Sequence, residues 1–275
     1  LLQTIAHLSD LHFGRIEPGA PAAVIEDVAS CAPDCIVITG DFTQRARVGQ
    51  FRKAIEFLLR LPEPRLVIPG NHDVPLWNIV RRFFSPLGRY QRFICSDLQP
   101  SLLTGELQVV GLNTTRRCAP RLRGFWKDGL IRMPELERAL RAFGAPAGQG
   151  CRILATHHPL IEPSPDHAGD VARNANAAIP RLIEAGVELC LSGHLHLSYH
   201  RFVQVPAFPG RGLLCIHAGT ATSSRRRDGN NAWNLIRVAR ESIHLQVRAL
   251  VGGRFMPISE HEFPRSPFPQ CHQAL

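Results

Sequence analysis

Chemistry-bearing residues gather in five short clusters: Asp10-Leu11-His12, Gly40-Asp41, Gly70-Asn71-His72-Asp73, His157-His158 and Gly193-His194-Leu195-His196. Carboxylate oxygens and imidazole nitrogens together suit Mn, Fe or Zn, whereas Mg and Ca prefer oxygen alone. The donors suffice for a pair of such ions. Any one cluster has an ordinary alternative, since the Pro, Gly, Asn and Asp of "PGNHDVP" are the residues turns favour. Recurrence argues for a site. The glycine in "TGD", "PGN" and "SGH" lets backbone and ions approach closely. In the D-x-H and H-x-H pairs, strand alternation would turn both side chains to one side.

Each cluster follows an apolar run that reads as a strand: "TIAHLS", "CIVITG", "RLVIPG", "CRILATHH" and "VELCLSGH". Helical spacing lies between them, at about 21–31, in "FRKAIEFLLRL", at 134–143 and in "AAIPRLIEAG". "LQVVGLN" and "GLLCIHAGTATS" add strands, and "AWNLIRVAR" with "IHLQVRAL" reads as a late hairpin. Strand–helix alternation predicts an α/β fold, parallel at first with an antiparallel addition. In such sheets ligands bind beyond the carboxyl ends of the strands, so distant clusters can meet there. Residues 75–97, with Arg and aromatics interleaved, read as helix and loop, and 161–170 as a Pro-rich loop. The expected organisation is one domain over 1–252 and an irregular Pro-rich tail over 253–275.

Taken together over residues 4–222, these motifs resemble the calcineurin-like metallophosphoesterases. The resemblance implies a four-layer α/β/β/α sandwich with a dinuclear metal site at the carboxyl ends of the strands. It implies one ion on Asp10, His12, Asp41 and His196, and a second on Asp41, Asn71, His157 and His194, with Asp41 bridging. His72 would face the phosphate and assist the leaving group, and Asp73 would orient His72. His158 would stand beside the ligands or replace His157 by a shift of one. "HLSDLHFG", "GDFTQ", "THHPL" and "HAGTATSSR" are similar to bacterial class III cyclic nucleotide phosphodiesterases and their relatives. That likeness implies a small phosphodiester substrate, such as a 3',5'-cyclic nucleotide, attacked in line by a hydroxide held between two ions roughly 3.5–4 Å apart. Arg225 in "SSRRR", His158 and His217 before "AGTATS" are the candidate substrate contacts.

The chain has 275 residues, 44% of them apolar, a net charge of +9 and only two lysines, Lys53 and Lys127. That is enough for one sizeable core. Arginine suits forked contacts with phosphate. Excess positive charge admits small phosphates, nucleic acid or acidic lipid. Three other readings therefore stand beside the phosphodiesterase: a lipid-precursor pyrophosphatase using 77–93 at a membrane surface, a phosphomonoesterase, and a nuclease tracking phosphates. A non-catalytic scaffold would have lost ligands, and here all are present. No apolar run approaches the roughly 20 residues of a membrane span, and "LLQTIAHLSD" reads as a strand rather than a leader. Eight scattered cysteines without a CxxC pair point to a reducing, cytoplasmic setting. Cys35, Cys190 and Cys215 read as core residues, and His7 as packed in its strand. His167, His200, His244, His261 and His272 have no supporting pattern. The sequence says nothing of oligomeric state.

Overall fold

The computed structural model of the protein describes residues 2–117, 127–144, 150–164, 171–227 and 229–265. Two six-stranded sheets carry the chain. The first runs β12 (Arg254–Pro264), β11 (Ser242–Val251), β10 (Ala232–Val238), β1 (Gln3–Leu8), β2 (Cys35–Thr39) and β3 (Arg65–Ile68). The second runs β4 (Ser101–Thr104), β5 (Leu107–Leu112), β6 (Cys151–Thr156), β7 (Val187–Ser192), β9 (Gly212–His217) and β8 (Tyr199–Gln204). β1, β2 and β3 are mutually parallel, as are β5, β6, β7 and β9. β10–β12 extend the first sheet antiparallel, including the expected β10–β11 hairpin.

Strand β2 shows why the layers form. Its period of two sends Cys35 and Val37 into the core between the sheets, and Ile36 and Ile38 outward against helices. It is buried throughout, so it reads as an unbroken apolar run. On the outer face of the first sheet lie α1 (Ala20–Cys31) and α2 (Val48–Leu58), which pack Val24, Val28, Phe51 and Ala54 against Ile36 and Ile38 in a second core under the helices. On the second sheet, α5 (Met133–Ala142) and α6 (Ala175–Glu184) add Leu136, Ala139, Ala178 and Leu182. Burying one such Ile, Leu or Phe contributes about 1.5–3 kcal/mol. The result is the expected α/β/β/α sandwich. Parallel pairing within each sheet, with β2 against β6 and β3 against β5, brings the carboxyl ends of both sheets to one edge.

Three strands were not expected. β4 and β8 are edge strands with exposed positions, so they lack the apolar run that marks the inner strands. β12 overturns the irregular reading of the chain after Gly252: Arg254–Pro264 pairs with β11 through a register shift between Val247 and Arg248. Pro257 is tolerated because β12 is an edge and its register is broken there. Between β3 and β4, α3 (Ile79–Phe84) and α4 (Gly88–Phe93) occupy the aromatic, Arg-rich segment. Tyr90 and Leu87 bury into the helix layer of the first sheet, while α3 stands clear of it. Cys35, Cys190 and Cys215 are buried, and the six described cysteines are all free. His167, His272, Cys118 and Cys271 lie outside the described residues. No helix among the described residues is long and apolar enough to cross a membrane.

Candidate metal centre

Beyond the strand ends, two groups of donor atoms share one carboxylate. Asp41 Oδ2 lies 3.5 Å from His12 Nε2, and Asp41 Oδ1 lies 3.5 Å from His157 Nε2. On the first side, His12 Nε2 stands 2.9 Å from His196 Nε2, and Asp10 Oδ1 is 3.2 Å from His196 Nε2 and 3.5 Å from His12 Nε2. On the second side, Asn71 Oδ1 is 3.0 Å from both His157 Nε2 and His194 Nδ1. Two ligands bound at about 2.1 Å to a single ion stand roughly 3.0–3.5 Å apart. Both groups have that spacing.

The backbone reaches this arrangement through loops, not through strand alternation as the D-x-H and H-x-H spacing suggested. β1 ends at Leu8 and β7 at Ser192, ahead of every donor. Asp10, His12, Asp41, His194 and His196 all have positive φ, between 48° and 76°. That is five of the eight described non-glycine residues in this region, where an L-residue costs about 1–2 kcal/mol. Surrounding bonds hold the turns. Thr220 Oγ1 donates to the Asp10 carbonyl at 2.6 Å, and Thr222 Oγ1 to the Leu11 carbonyl at 2.5 Å. Ser9 Oγ donates to Asp10 Oδ2 at 2.6 Å, and the His194 N–H donates to the same oxygen at 2.9 Å. Gly70 and Gly193 are required by close approach: a Cβ on Gly70 would collide with Asp41, and one on Gly193 with Ser9 and Asp10.

Hydrogen bonds fix which nitrogens are bare. His157 Nδ1 donates to the Thr39 carbonyl at 2.7 Å, and His196 Nδ1 to the Arg225 carbonyl. Their Nε2 lone pairs therefore point into the site. Burial, foremost, keeps His157 and His194 neutral and pushes His12 down to about 4. Burial, reinforced by the nearby Asp10 and Asp73 carboxylates, raises Asp41 well above the usual carboxylate range. For His196 burial works downward, but Asp10 prevails and raises it. Asp10 Oδ1, His12 Nδ1 and Asn71 Nδ2 are buried without a hydrogen-bond partner among the described residues. Asn71 Oδ1 and the bare Nε2 of His157 face each other at 3.0 Å with no proton between them. The residues fit a pair of bound cations.

Other candidate residues find partners within the fold. Asp73 accepts from the N–H groups of Gly70, Phe42 and Thr43 and from Thr43 Oγ1, at 2.9–3.2 Å, tying the β2 loop to the β3 loop. His72 is oriented by Gln44 instead, through Nδ1–H to the Gln44 carbonyl at 2.9 Å. Burial, followed by repulsion from His12, pushes His72 down to about 2, which favours a neutral resting ring. Its donor atom lies within 4.8 Å of those of His12 and Asp41. His158 spends both nitrogens on the protein, on Thr114 Oγ1 at 2.8 Å and the Lys127 carbonyl at 2.7 Å, although its ring packs on His157 and His194. The register therefore favours His157. His217 is buried, stacked on Tyr199 and bonded to Ser192, and does not line the cavity over the donors. His7 is packed, as expected.

That cavity measures about 180 Å³. Asp41, Asn71, His72, His194 and His196 line it, with Lys127, Arg225, Arg226 and Arg227 around them. The "SSRRR" run is thus at the site, and Arg226 also meets Glu17 at 3.6 Å. Sequence reasoning passed over Ser9, Gln44, Lys127 and the two threonines. All act through hydroxyls or carbonyls whose aim depends on the loop path, and only their nearness to the clusters marked them.

Comparison with known proteins places these features in context. The family described as calcineurin-like phosphoesterase matches residues 3–198. A cAMP/cGMP dual specificity phosphodiesterase of Mycobacterium tuberculosis is 30% identical over 239 residues, covering 80% of this chain and 68% of the relative. A UDP-2,3-diacylglucosamine pyrophosphatase of Chlamydia muridarum is 40% identical over only 72 residues, 25% of this chain and 22% of its own length. Among solved structures, a purple acid phosphatase from yellow lupin superposes with a TM-score of 0.69 at 13% identity, covering 100% of this chain and 57% of that one. A dimetal phosphatase from Danio rerio gives 0.63 at 13% identity, covering 94% and 98%. At such identity the likeness to the solved structures concerns the fold.

Proposed function

We infer, for a chain that belongs to the calcineurin-like phosphoesterase family and is a metal-dependent hydrolase of phosphoric esters, a phosphodiesterase acting on small diesters such as 3',5'-cyclic nucleotides. The observation that carries this reading is Asp41, which offers one carboxylate oxygen to each donor group. Asp10, His12, Asp41 and His196 would hold one ion, and Asp41, Asn71, His157 and His194 the other. When bound, such ions supply Lewis acidity and an activated nucleophile. The protein supplies position. Thr39 and Arg225 carbonyls aim the imidazoles, and Asp73 fixes the two loops that carry Asp41 and Asn71.

A cavity of about 180 Å³ is smaller than the roughly 300–1,000 Å³ of whole-ligand pockets. It accepts the phosphoryl group, and the rest of the substrate lies across the arginine rim. The rim neutralises phosphate charge in the ground state and more so as charge develops. The neutral His72 ring orients the attacking water by accepting a hydrogen bond. Likeness to the mycobacterial phosphodiesterase supports the cyclic nucleotide. The test is a panel on protein of defined metal content: cAMP, cGMP, bis-p-nitrophenyl phosphate and p-nitrophenyl phosphate. Diesters should turn over faster than the monoester. The reverse order would make the enzyme a phosphomonoesterase.

A further inference from the structure

The segment between β3 and β4 carries a feature that hydrolysis does not use. Trp77, Ile79, Val80, Phe83 and Phe84 are all exposed within eight residues, Trp77 by 80% and Phe84 by 86%. Thirteen large apolar side chains are exposed in the described structure, and five of them are here. Single exposed apolar residues need no explanation, but a contiguous set marks a binding surface. The segment is also held firmly. Arg82 Nη1 donates to the Pro75 carbonyl at 3.0 Å, Arg89 Nη1 to the Ala46 carbonyl at 2.6 Å, and Tyr90 is buried against Phe42.

Its charge has one sign. From Val74 to Ser96 there are four arginines and no Asp or Glu. Arg81 and Arg92 are exposed beside the apolar side chains. Phe83 and Phe84 also rim a cavity of about 710 Å³ lined by Arg116, Arg117 and Arg132, the last paired at 3.1 Å with Glu135, which lines it too. Arg116 Nη1 is buried there with no hydrogen-bond partner among the described residues. A buried donor left unpaired costs about 1–3 kcal/mol or more when charged, so an anion entering the cavity would find a donor to bond in Arg116. Protruding Trp and Phe flanked by arginine, beside that donor, fit the boundary between headgroups and acyl chains of an anionic bilayer.

We propose that residues 77–84 and the cavity they rim dock the protein onto anionic membrane surfaces, with the apolar side chains entering the headgroup boundary and Arg116 meeting a lipid phosphate. This goes beyond the hydrolytic reading and does not rest on it. Docking would set the metal centre near the bilayer, because only Val74, Pro75 and Leu76 separate Trp77 from Asp73.

The experiment is flotation of the full chain with vesicles of phosphatidylcholine alone and with vesicles containing about one third phosphatidylglycerol, at two salt concentrations. The wild type should float with the anionic vesicles only, and less at high salt. Trp77→Ala with Phe84→Ala, and separately Arg81→Glu, should each weaken binding by about tenfold or more. Arg116→Gln should weaken it less and only on anionic vesicles. Turnover of soluble bis-p-nitrophenyl phosphate should stay unchanged in all three, and the melting temperature should not fall. Absence of vesicle binding, or binding indifferent to these variants, overturns the proposal. So does light scattering that shows a dimer in the wild type and a monomer in the double variant, which would assign the surface to a second copy of the chain.

Discussion

The backbone N–H of His194 donates to Asp10 Oδ2 across 2.9 Å, so a loop of the second sheet holds the carboxylate that follows the first strand of the other. The two donor groups repeat this division. Asp10, His12, Asp41 and Asn71 follow strands of the first sheet, and His157, His194 and His196 follow strands of the second. Bound ions would therefore join the sheets. Removing them with a chelator should lower the melting temperature, since a ligand at 100 times its Kd contributes about 2.7 kcal/mol. Calorimetry with and without chelator tests this. An unchanged melting temperature in protein shown to have lost its metal would refute it.

Asp41→Asn should lower the content of both ions, because each carboxylate oxygen faces a different donor group. Turnover should fall by at least about 10³-fold, more than the loss of one electrostatic donor typically gives, while circular dichroism stays that of the folded protein. Two tightly bound ions in the purified variant, measured by elemental analysis, would show the bridge to be misassigned.

Arg225 acts twice, and the two parts separate. Its carbonyl holds His196, while its side chain lines the cavity. Arg225→Ala keeps the carbonyl, so metal content should hold. KM should rise about tenfold or more with kcat little changed, the pattern of lost uniform binding. A change confined to kcat would contradict this.

His72→Asn discriminates an acid from a neutral ring. A leaving-group acid matters most for poor leaving groups, and an activated phenolate needs little help. With its Nδ1–H on the Gln44 carbonyl and its pKa near 2, His72 should instead matter equally. Losses of about 10²-fold in kcat/KM should appear on alkyl and aryl diesters alike. A loss concentrated on the alkyl ester would restore the acid role.

Two buried rings set an acid limit on stability. Burial pushes His7 and His217 down to about 3, against about 6.5 in an unfolded chain. Between these values the unfolded chain binds more protons. Stability should therefore fall as pH drops from about 6.5 toward 3, and this contribution should level off below that. Each ring contributes a slope of at most about 1.4 kcal/mol per pH unit. In urea unfolding of chelated protein, His217→Gln should flatten the dependence; an identical slope would remove His217 from the account.

Inner strands were legible because β2 and β6, buried on both faces, leave unbroken apolar runs. The donors were legible because parallel strands deliver their ends to one edge, whatever the loops then do. Edge strands β4, β8 and β12 were hidden by their exposed positions, and β12 also by Pro257, a breaker in any inner strand. Asp73 and His72 were paired in expectation because they are neighbours in sequence. In space each answers to the β2 loop, Asp73 through Thr43 and His72 through Gln44. No spacing rule reports which backbone N–H a buried carboxylate will find.

The five left-handed donors have an evolutionary consequence. Glycine adopts that backbone without penalty, so each donor costs about 1–2 kcal/mol relative to the residue the turn prefers. Across five positions that approaches the roughly 5–15 kcal/mol by which a whole domain is stable. Selection for the metal centre keeps Asp and His there. In a descendant released from that selection, mutations to glycine at positions 10, 12, 41, 194 and 196 would be favoured by folding itself. Lineages that abandoned the chemistry should therefore betray it first as glycines at these turns, before any strand of the sandwich has changed.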